Sequence, residues 1–384
     1  MYMSKKQIIV SGIQPTGNLH IGNYLGAVKN WVELQNSGKY QMYIFIADYH
    51  SLTGNMKPKE RRAQIMRTAA ELLAAGIDPE KTVFWVQSHV PEHTELAWVF
   101  NSITPIGELK RMTQFKDKAG ISDYEEVIDE IYKYEKNRLI LTILAERMEK
   151  NSVKYKQQRD KAKELLKTIE KLIIREENKA NTGLLTYPIL QAADILLYHG
   201  EMVPVGQDQI QHVELTRDVA RWFNNRYSDY FPETKHLLTH IPKVMSLVEP
   251  HKKMSKSLGA DHVIELADEP SVIEKKLKKA VTATEGGGEA PGVVNLLSLL
   301  KEFGNKKVHD EFVKAEKDGT IRYGDLKKVL GESISTYFAD FRSRRAELLD
   351  NHGELAEILG KGAQKAQLVA SKTMEDVRGL IGVR

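Results

Sequence analysis

Apolar positions in the first 118 residues fall into two patterns. Ile8-Ile9-Val10, Met42 to Ala47 and Thr82 to Val86 are strand-length apolar runs, each followed by turn or polar residues. Between them, Leu25, Val28 and Val32 recur at helical spacing from about Asn23, and 58–75 reads as a helix with Pro58 suited to its first turn. Near-continuous apolar strands alternating with helices predict a parallel sheet covered on both faces. In such sheets ligands sit at the carboxyl ends of the strands, and residues 11–23, 48–50 and 87–89 all follow strand ends.

Residues 120–178 have a different texture. They lack proline, and Val127, Ile131 and Tyr134, then Leu165, Ile169, Leu172 and Glu176, follow heptad-like spacing on either side of a turn at Asn151-Ser152. The first half is net acidic and the second net basic, so an antiparallel helical hairpin is expected. The strand-and-helix pattern resumes over 181–215. Residues 265–384 read as mainly helical, interrupted at Gly286-Gly287-Gly288 and at Gly292.

Composition narrows the function classes. The 384 residues are 41% apolar and 28% charged, with a formal net charge of +4 and no cysteine. Disulfides, thiolate metal sites and a cysteine nucleophile are thereby excluded, and a cytoplasmic location is expected. No apolar run is long enough to span a membrane, and Met1 to Lys6 leads into a strand rather than into the apolar core of a signal peptide. The small positive charge is compatible with a nucleic-acid partner without demanding one.

Four segments carry candidate chemistry. Pro15-Thr16-Gly17-Asn18-Leu19-His20-Ile21-Gly22-Asn23 combines a tight turn with a helix start. There His20 and Asn23, at i and i+3, can donate to phosphate oxygens beside free backbone N–H groups. By itself this reads equally as a capped strand-to-helix turn. Lys253-Met254-Ser255-Lys256-Ser257 places two ammonium groups on a small-residue loop, suited to charge that develops late in a reaction. Most such pentamers are solvated basic loops. In Tyr187-Pro188-Ile189-Leu190-Gln191-Ala192-Ala193-Asp194, read as a helix started by Pro188, Tyr187, Gln191, Asp194 and Tyr198 form a polar stripe. A buried Asp194 needs a donor, from a ligand or from a structural partner. Finally, the strand at Val203-Pro204-Val205 ends in Gly206-Gln207-Asp208-Gln209, where Asp208 suits ribose hydroxyls and Gln209 an amino group.

The histidine-bearing and lysine-bearing segments together resemble the HIGH and KMSKS signatures of class I aminoacyl-tRNA synthetases. With Asp48-Tyr49-His50, Met112 to Lys118, Ala192 to Tyr198 and Met245-Ser246-Leu247, the chain is similar to the bacterial-type tryptophanyl enzymes over nearly its whole length except 120–178. The fold class expected is α/β: a Rossmann-like parallel sheet with helices on both faces, a mainly helical C-terminal domain and an inserted helical hairpin. The catalytic domain would span 1–260, interrupted by the hairpin at 120–178. The region 261–384 would be helical and read the anticodon.

The resemblance implies roles residue by residue. His20, Asn23, Lys118, Lys253 and Lys256 would be catalytic. Gln14, Pro15, Thr16, Gly22, Asn23, Gly206, Gln207, Asp208 and Val244 would contact ATP, as would Lys253, Met254, Ser255, Lys256 and Ser257. Asp194 would accept the indole N–H, with His50, Tyr187, Gln191 and Gln209 lining the amino-acid pocket. Asn23 replaces the second histidine of the HIGH pattern, and Gln191 stands where many bacterial relatives carry methionine and is similar to tyrosyl enzymes.

The implied reaction joins tryptophan to ATP, giving tryptophanyl-adenylate and pyrophosphate, and then acylates the terminal ribose of tRNA(Trp). Mg²⁺ would enter on the ATP phosphates, with no metal held by the protein alone. A homodimer is implied. The open alternatives are a tyrosyl enzyme, a tRNA-independent nucleotidyltransferase and an inactive paralogue that binds tryptophan or tRNA. The hairpin is read first as an inert surface insertion. The other readings are a contact to the tRNA acceptor arm through Lys154, Lys156, Arg159, Lys161 and Lys163, and pairing with a second subunit.

Overall fold

The computed structural model describes residues 6–112, 133–136, 153–177, 181–206, 209–238, 244–283 and 290–383. They divide into two compact units, one of Met1–Phe100 with Leu190–Arg384, the other of Asn101–Ile189.

The first unit is built on five parallel strands: β1 (Gln7–Ile13), β2 (Tyr40–Ile46), β3 (Thr82–Val86), β4 (Met202–Val205) and β5 (Lys235–Leu238), in the order β3-β2-β1-β4-β5. Ile9 lies opposite Met42 on one side and Met202 on the other, and Met42 lies opposite Thr82. Ile9, Ile44 and Ile46 are wholly buried, as their apolar runs require. β5 carries no such signal because its Lys-His-Leu-Leu sits half exposed at the sheet edge. Strand order reverses between β1 and β4, which opens a crevice at their carboxyl ends. The segments leaving β1 at Gln14 and β4 at Gly206 therefore emerge beside the same crevice.

Helix α1 follows the first turn in three joined pieces, Ile21–Asn23, a π-wound Tyr24–Val28 and Lys29–Asn36. Then come α2 (Pro58–Ala74) and α3 (Glu92–Asn101) in this unit, and α4 (Ile106–Lys110) and α5 (Val153–Glu177) in the other. α5 starts at Val153, so the second arm of the expected hairpin is a helix, while Asn151-Ser152 lie outside the described residues. Of the first arm, 133–136 is helical and the rest lies outside the described residues.

Helix α6 (Thr182–Leu196) corrects one reading. Pro188 does not start it but sits inside it. Asn181 is the start signal, its Oδ1 accepting from Leu184 N at 2.8 Å. An internal proline forfeits one helical bond and costs about 3 kcal/mol. Burial of Ile189, Ala192, Ala193 and Leu196 offsets this.

After α7 (Ile210–Arg226) and β5, six α-helices complete the first unit among the described residues. They are α8 (Pro270–Lys279), α9 (Pro291–Phe303), α10 (Lys306–Lys317), α11 (Tyr323–Tyr337), α12 (Ala339–Asp350) and α13 (His352–Ile381). Ile273, Leu296, Leu330 and Ile334 from this layer share one core with Ile9, Leu25 and Ile44. Gly292 does not interrupt the helical region. It lies in the first turn of α9, where a Cβ would come 2.1 Å from the Val281 carbonyl oxygen. Gly286-Gly287-Gly288 lie outside the described residues. α13 buries a stripe of Ala363, Ala366 and Ala370, and Gly362 passes so close to β3 that a Cβ would stand 1.7 Å from the Phe84 carbonyl oxygen.

Two glycines of α13 separate close packing from helix propensity. Gly362→Ala should lose at least about 2 kcal/mol of unfolding free energy in urea, because backbone cannot yield to the methyl. Gly360→Ala, whose added methyl meets open space, should gain about 0.5–1 kcal/mol. Equal effects at the two positions would refute the close approach of α13 to β3.

Candidate active site

The first turn begins where β1 ends. Thr16 N donates to Gln14 O at 2.9 Å, and Gly17 takes the left-handed conformation with φ 101°. Leu19 N then donates at 2.7 Å to Oε2 of Glu71, a carboxylate from α2 that is wholly buried. Arg345 of α12 donates to the other oxygen at 2.9 Å. Burial pushes the Glu71 carboxyl up, against the opposing pull of the Leu19 N–H and Arg345.

His20 caps α1. Its Nδ1 accepts from Gly22 N at 3.0 Å, and Asn23 Oδ1 accepts from His20 N at 3.2 Å. These bonds fix which atoms face outward. With Nδ1 accepting, a neutral His20 ring carries its proton on Nε2, and the Asn23 amide keeps its NH₂ as donor. Gly22 is needed because the His20 ring lies against it, 2.8 Å from where a Cβ would stand. Burial, then the charges of Lys256 and Lys253, lower the His20 pKa to about 4. The imidazole is therefore an uncharged donor at neutral pH.

The lysine-bearing segment lies over this turn. Met254 is buried and its N–H donates to Val244 O at 3.0 Å, while Met245 and Lys253 form an antiparallel bridge. Asn295 of α9 clamps Met245 through both N–H and C=O, at 3.0 and 2.9 Å. The chain then returns to pair with the first segment: Ile21 N donates to Ile264 O at 3.0 Å and Leu266 N to Leu19 O at 2.9 Å. As a result the Lys256 ammonium stands 2.9 Å from the space a Cβ on Gly17 would fill. Its nearest carboxylate is Glu265 at 3.9 Å, itself held by Asn18 Nδ2 at 2.7 Å. Burial lowers the Lys256 pKa, and the negative charges of Glu265, Glu71 and Asp268 only partly restore it. A half-buried cation with a loose partner is suited to an incoming polyanion.

A second polar cluster sits at the ends of β2 and β3. Asp194, 1% exposed, receives three donors. His50 Nε2 reaches Oδ2 at 2.8 Å, while Gln87 Nε2 and His93 Nδ1 reach Oδ1 at 2.7 and 2.6 Å. Burial alone would raise the Asp194 pKa. The electrostatic effect of His93 and the bonds from His50 and His93 outweigh it, so the carboxyl lies below its ordinary value.

The chain has counterparts among known proteins. The family described as tRNA synthetases class I (W and Y) matches residues 3–131 and 132–339. Tryptophan–tRNA ligase 2 of Streptomyces avermitilis is 38% identical over 387 residues, covering 99% of this chain and 98% of that one. Tryptophan–tRNA ligase of Bacillus anthracis is 39% identical over 388 residues, covering 98% of each. The chain belongs to the class I tRNA synthetases of the W and Y family. Among solved structures, tryptophanyl-tRNA synthetase of Campylobacter jejuni complexed with ADP and tryptophan is similar, with a TM-score of 0.74, 31% identity and coverage of 98% of this chain and 100% of that one.

Of the residues a synthetase of this family would use, the structure brings His20 and Gly22 beside Lys253, Met254 and Lys256, with Val244 bonded to Met254; Gln14, Pro15, Thr16 and Asn23 lie on the same turn segment. His50 meets Asp194. Gly206 follows β4, and its carbonyl accepts from Gln209 N at 3.0 Å at the start of α7. Gln191 is half-buried three residues before Asp194 on α6. Tyr187 is buried on the part of that helix belonging to the other unit, and burial pushes its phenol up to about 12. Lys118, Gln207 and Asp208 lie outside the described residues. Sequence reading missed Asn18, Glu71, Gln87, His93 and Glu265. Gln87 and Asn18 carried a usable signal, being polar residues at a strand end and inside the first motif.

The low His20 pKa has a measurable consequence. Between about pH 6.5 and 4 the unfolded chain binds a proton that folded His20 refuses, so this contribution to stability is present above pH 6.5 and lost as pH falls towards 4. At its steepest the loss is about 1.4 kcal/mol per pH unit. His20→Asn should flatten the pH dependence of urea unfolding in that window; curves of equal slope for both proteins would contradict a neutral buried imidazole.

Proposed function

We propose that this chain is a tryptophan–tRNA ligase, and that the single observation supporting it best is the seating of Lys256 over the Gly17 to Asn23 turn. There the neutral His20 Nε2–H, the Asn23 amide and the Lys256 ammonium can face one triphosphate. The tryptophan carboxylate attacks the α-phosphorus in line, and pyrophosphate leaves towards the lysines. No protein nucleophile is needed, because positioning and charge stabilisation lower the barrier. ATP enters with Mg²⁺ on its phosphates. Gln14, Pro15, Thr16, Gly206, Gln207, Asp208 and Val244 hold the nucleotide, and Lys118 joins Lys253 and Lys256 on the triphosphate.

In the amino-acid pocket Asp194 takes the indole N–H, with His50, Tyr187, Gln191 and Gln209 around it. An acceptor buried this deeply penalises a substrate that leaves it unpaired. The adenylate then acylates the terminal ribose of tRNA(Trp), and the helices after residue 260 read the anticodon. A cytoplasmic homodimer is the proposed working form. No helix among the described residues is long and apolar enough to cross a membrane.

Exchange of labelled pyrophosphate into ATP tests the activation step. Tryptophan should support it, and tyrosine alone supporting it would overturn the assignment. Lys256→Ala should cut kcat by about 10²–10³-fold, as expected for a group acting mainly on transition-state charge. Asp194→Ala should raise the tryptophan KM with the ATP KM nearly unchanged; an unaltered tryptophan KM would remove Asp194 from the pocket.

A further inference from the structure

Three side chains behind Asp194 have no part in the chemistry described above, yet all are buried and polar. Gln87 and His93 are wholly buried, and Tyr198 is 1% exposed. Burying three such groups is costly unless each is satisfied, and the way they satisfy one another is directional.

Gln87 Oε1 accepts from Tyr49 N at 3.1 Å, so its amide nitrogen must be the end that faces Asp194. His93 lies between two partners: Nδ1 is 2.6 Å from Asp194 Oδ1 and Nε2 is 2.9 Å from the Tyr198 hydroxyl. Tyr198 stacks on Tyr43 with ring centroids 5.0 Å apart and meets the edge of Trp85, also at 5.0 Å, so the phenol is fixed in place. Burial, then the charge of Asp194, hold its pKa well above the ordinary value, so it keeps its hydrogen to donate. Nδ1, facing the carboxylate, is the nitrogen of His93 that donates, and Nε2 pairs with the Tyr198 hydroxyl.

The count of donors is then unequal between the two Asp194 oxygens. Oδ1 receives two, from Gln87 and His93, which fills its lone pairs. Oδ2 receives one, from His50. We infer that Tyr198, His93 and Gln87 are positioning residues that commit Oδ1 to the protein and present Oδ2 as the single acceptor for a substrate N–H. This rests on the reading of Asp194 as the indole acceptor and adds how its orientation is set. With Oδ1 filled by two donors on rigid elements, the lone pair that Oδ2 keeps beside its bond from His50 is the one a substrate N–H can meet.

A tryptophan analogue separates this role from a structural one. β-(Benzothiophen-3-yl)alanine keeps the shape of tryptophan but has sulfur in place of the N–H. In pyrophosphate exchange the wild-type protein should prefer tryptophan in kcat/KM by about a hundredfold or more. His93→Phe keeps a ring and removes the Nδ1 donor. It should compress that preference to about tenfold or less and leave the ATP KM unmoved, since a freed carboxylate can turn away from the substrate. His93→Asn, whose amide nitrogen can take the place of Nδ1, should restore most of it, and Tyr198→Phe should give a smaller compression. Gln87→Leu removes the other donor to Oδ1, should act like His93→Phe, and serves if that variant does not fold. An unchanged preference in folded, active His93→Phe or Gln87→Leu would overturn the positioning role alone. Equal use of both substrates by the wild-type protein would overturn the reading of Asp194 and the inference with it. Absence of any tryptophan-dependent exchange would instead overturn the proposed activity.

Discussion

The arrangement around the first turn depends on the return of residues 264–266 to the turn at 19–21. Two backbone bonds, Ile21 N to Ile264 O and Leu266 N to Leu19 O, tie sequence-distant segments into one structure. The lysine segment precedes residue 264, and with that pairing in place Lys256 lies across Gly17. The turn is braced from beneath by Glu71, which holds the Leu19 amide on one oxygen and Arg345 on the other. A carboxylate with no solvent exposure is expensive to leave unpaired, and removing one partner of such a pair commonly costs 3–5 kcal/mol, roughly.

The same brace explains why the C-terminal helices belong to the first compact unit. Arg345 arrives on α12 and Asn295 on α9, so side chains from far along the chain support both the first turn and the lysine-bearing segment. Tyr337 of α11 reaches Tyr24 in the π-wound piece of α1, with hydroxyls 2.8 Å apart. The site's geometry is therefore set by packing between layers, and Gly292 and Gly362 are small where backbone must approach backbone.

Sequence pattern made the sheet legible because four of its strands are apolar on both sides, a signal that needs no tertiary context. β5 escaped because its residues stay half exposed, whereas β3, also an edge, is buried and so carries an apolar run. Pro188 misled for a physical reason: proline favours a first turn, but here Asn181 supplied the cap and the buried face carried the helix through. The signature residues were visible as motifs, while their supports were not. Glu71, His93 and Glu265 look like ordinary helix or loop residues in the chain. Only folding places a carboxylate under Leu19, an imidazole behind Asp194 and an acid beside Lys256. Long-range hydrogen bonds leave no local trace in sequence.

The most direct test is a crystal structure of the protein with tryptophan and a non-hydrolysable ATP analogue. The expected result has phosphate oxygens within hydrogen-bonding reach of His20 Nε2 and Lys256 Nζ together, with the indole beside Asp194 Oδ2. A nucleotide bound elsewhere, or one touching the first turn while Lys256 remains on Glu265, would contradict a shared site made by the two segments.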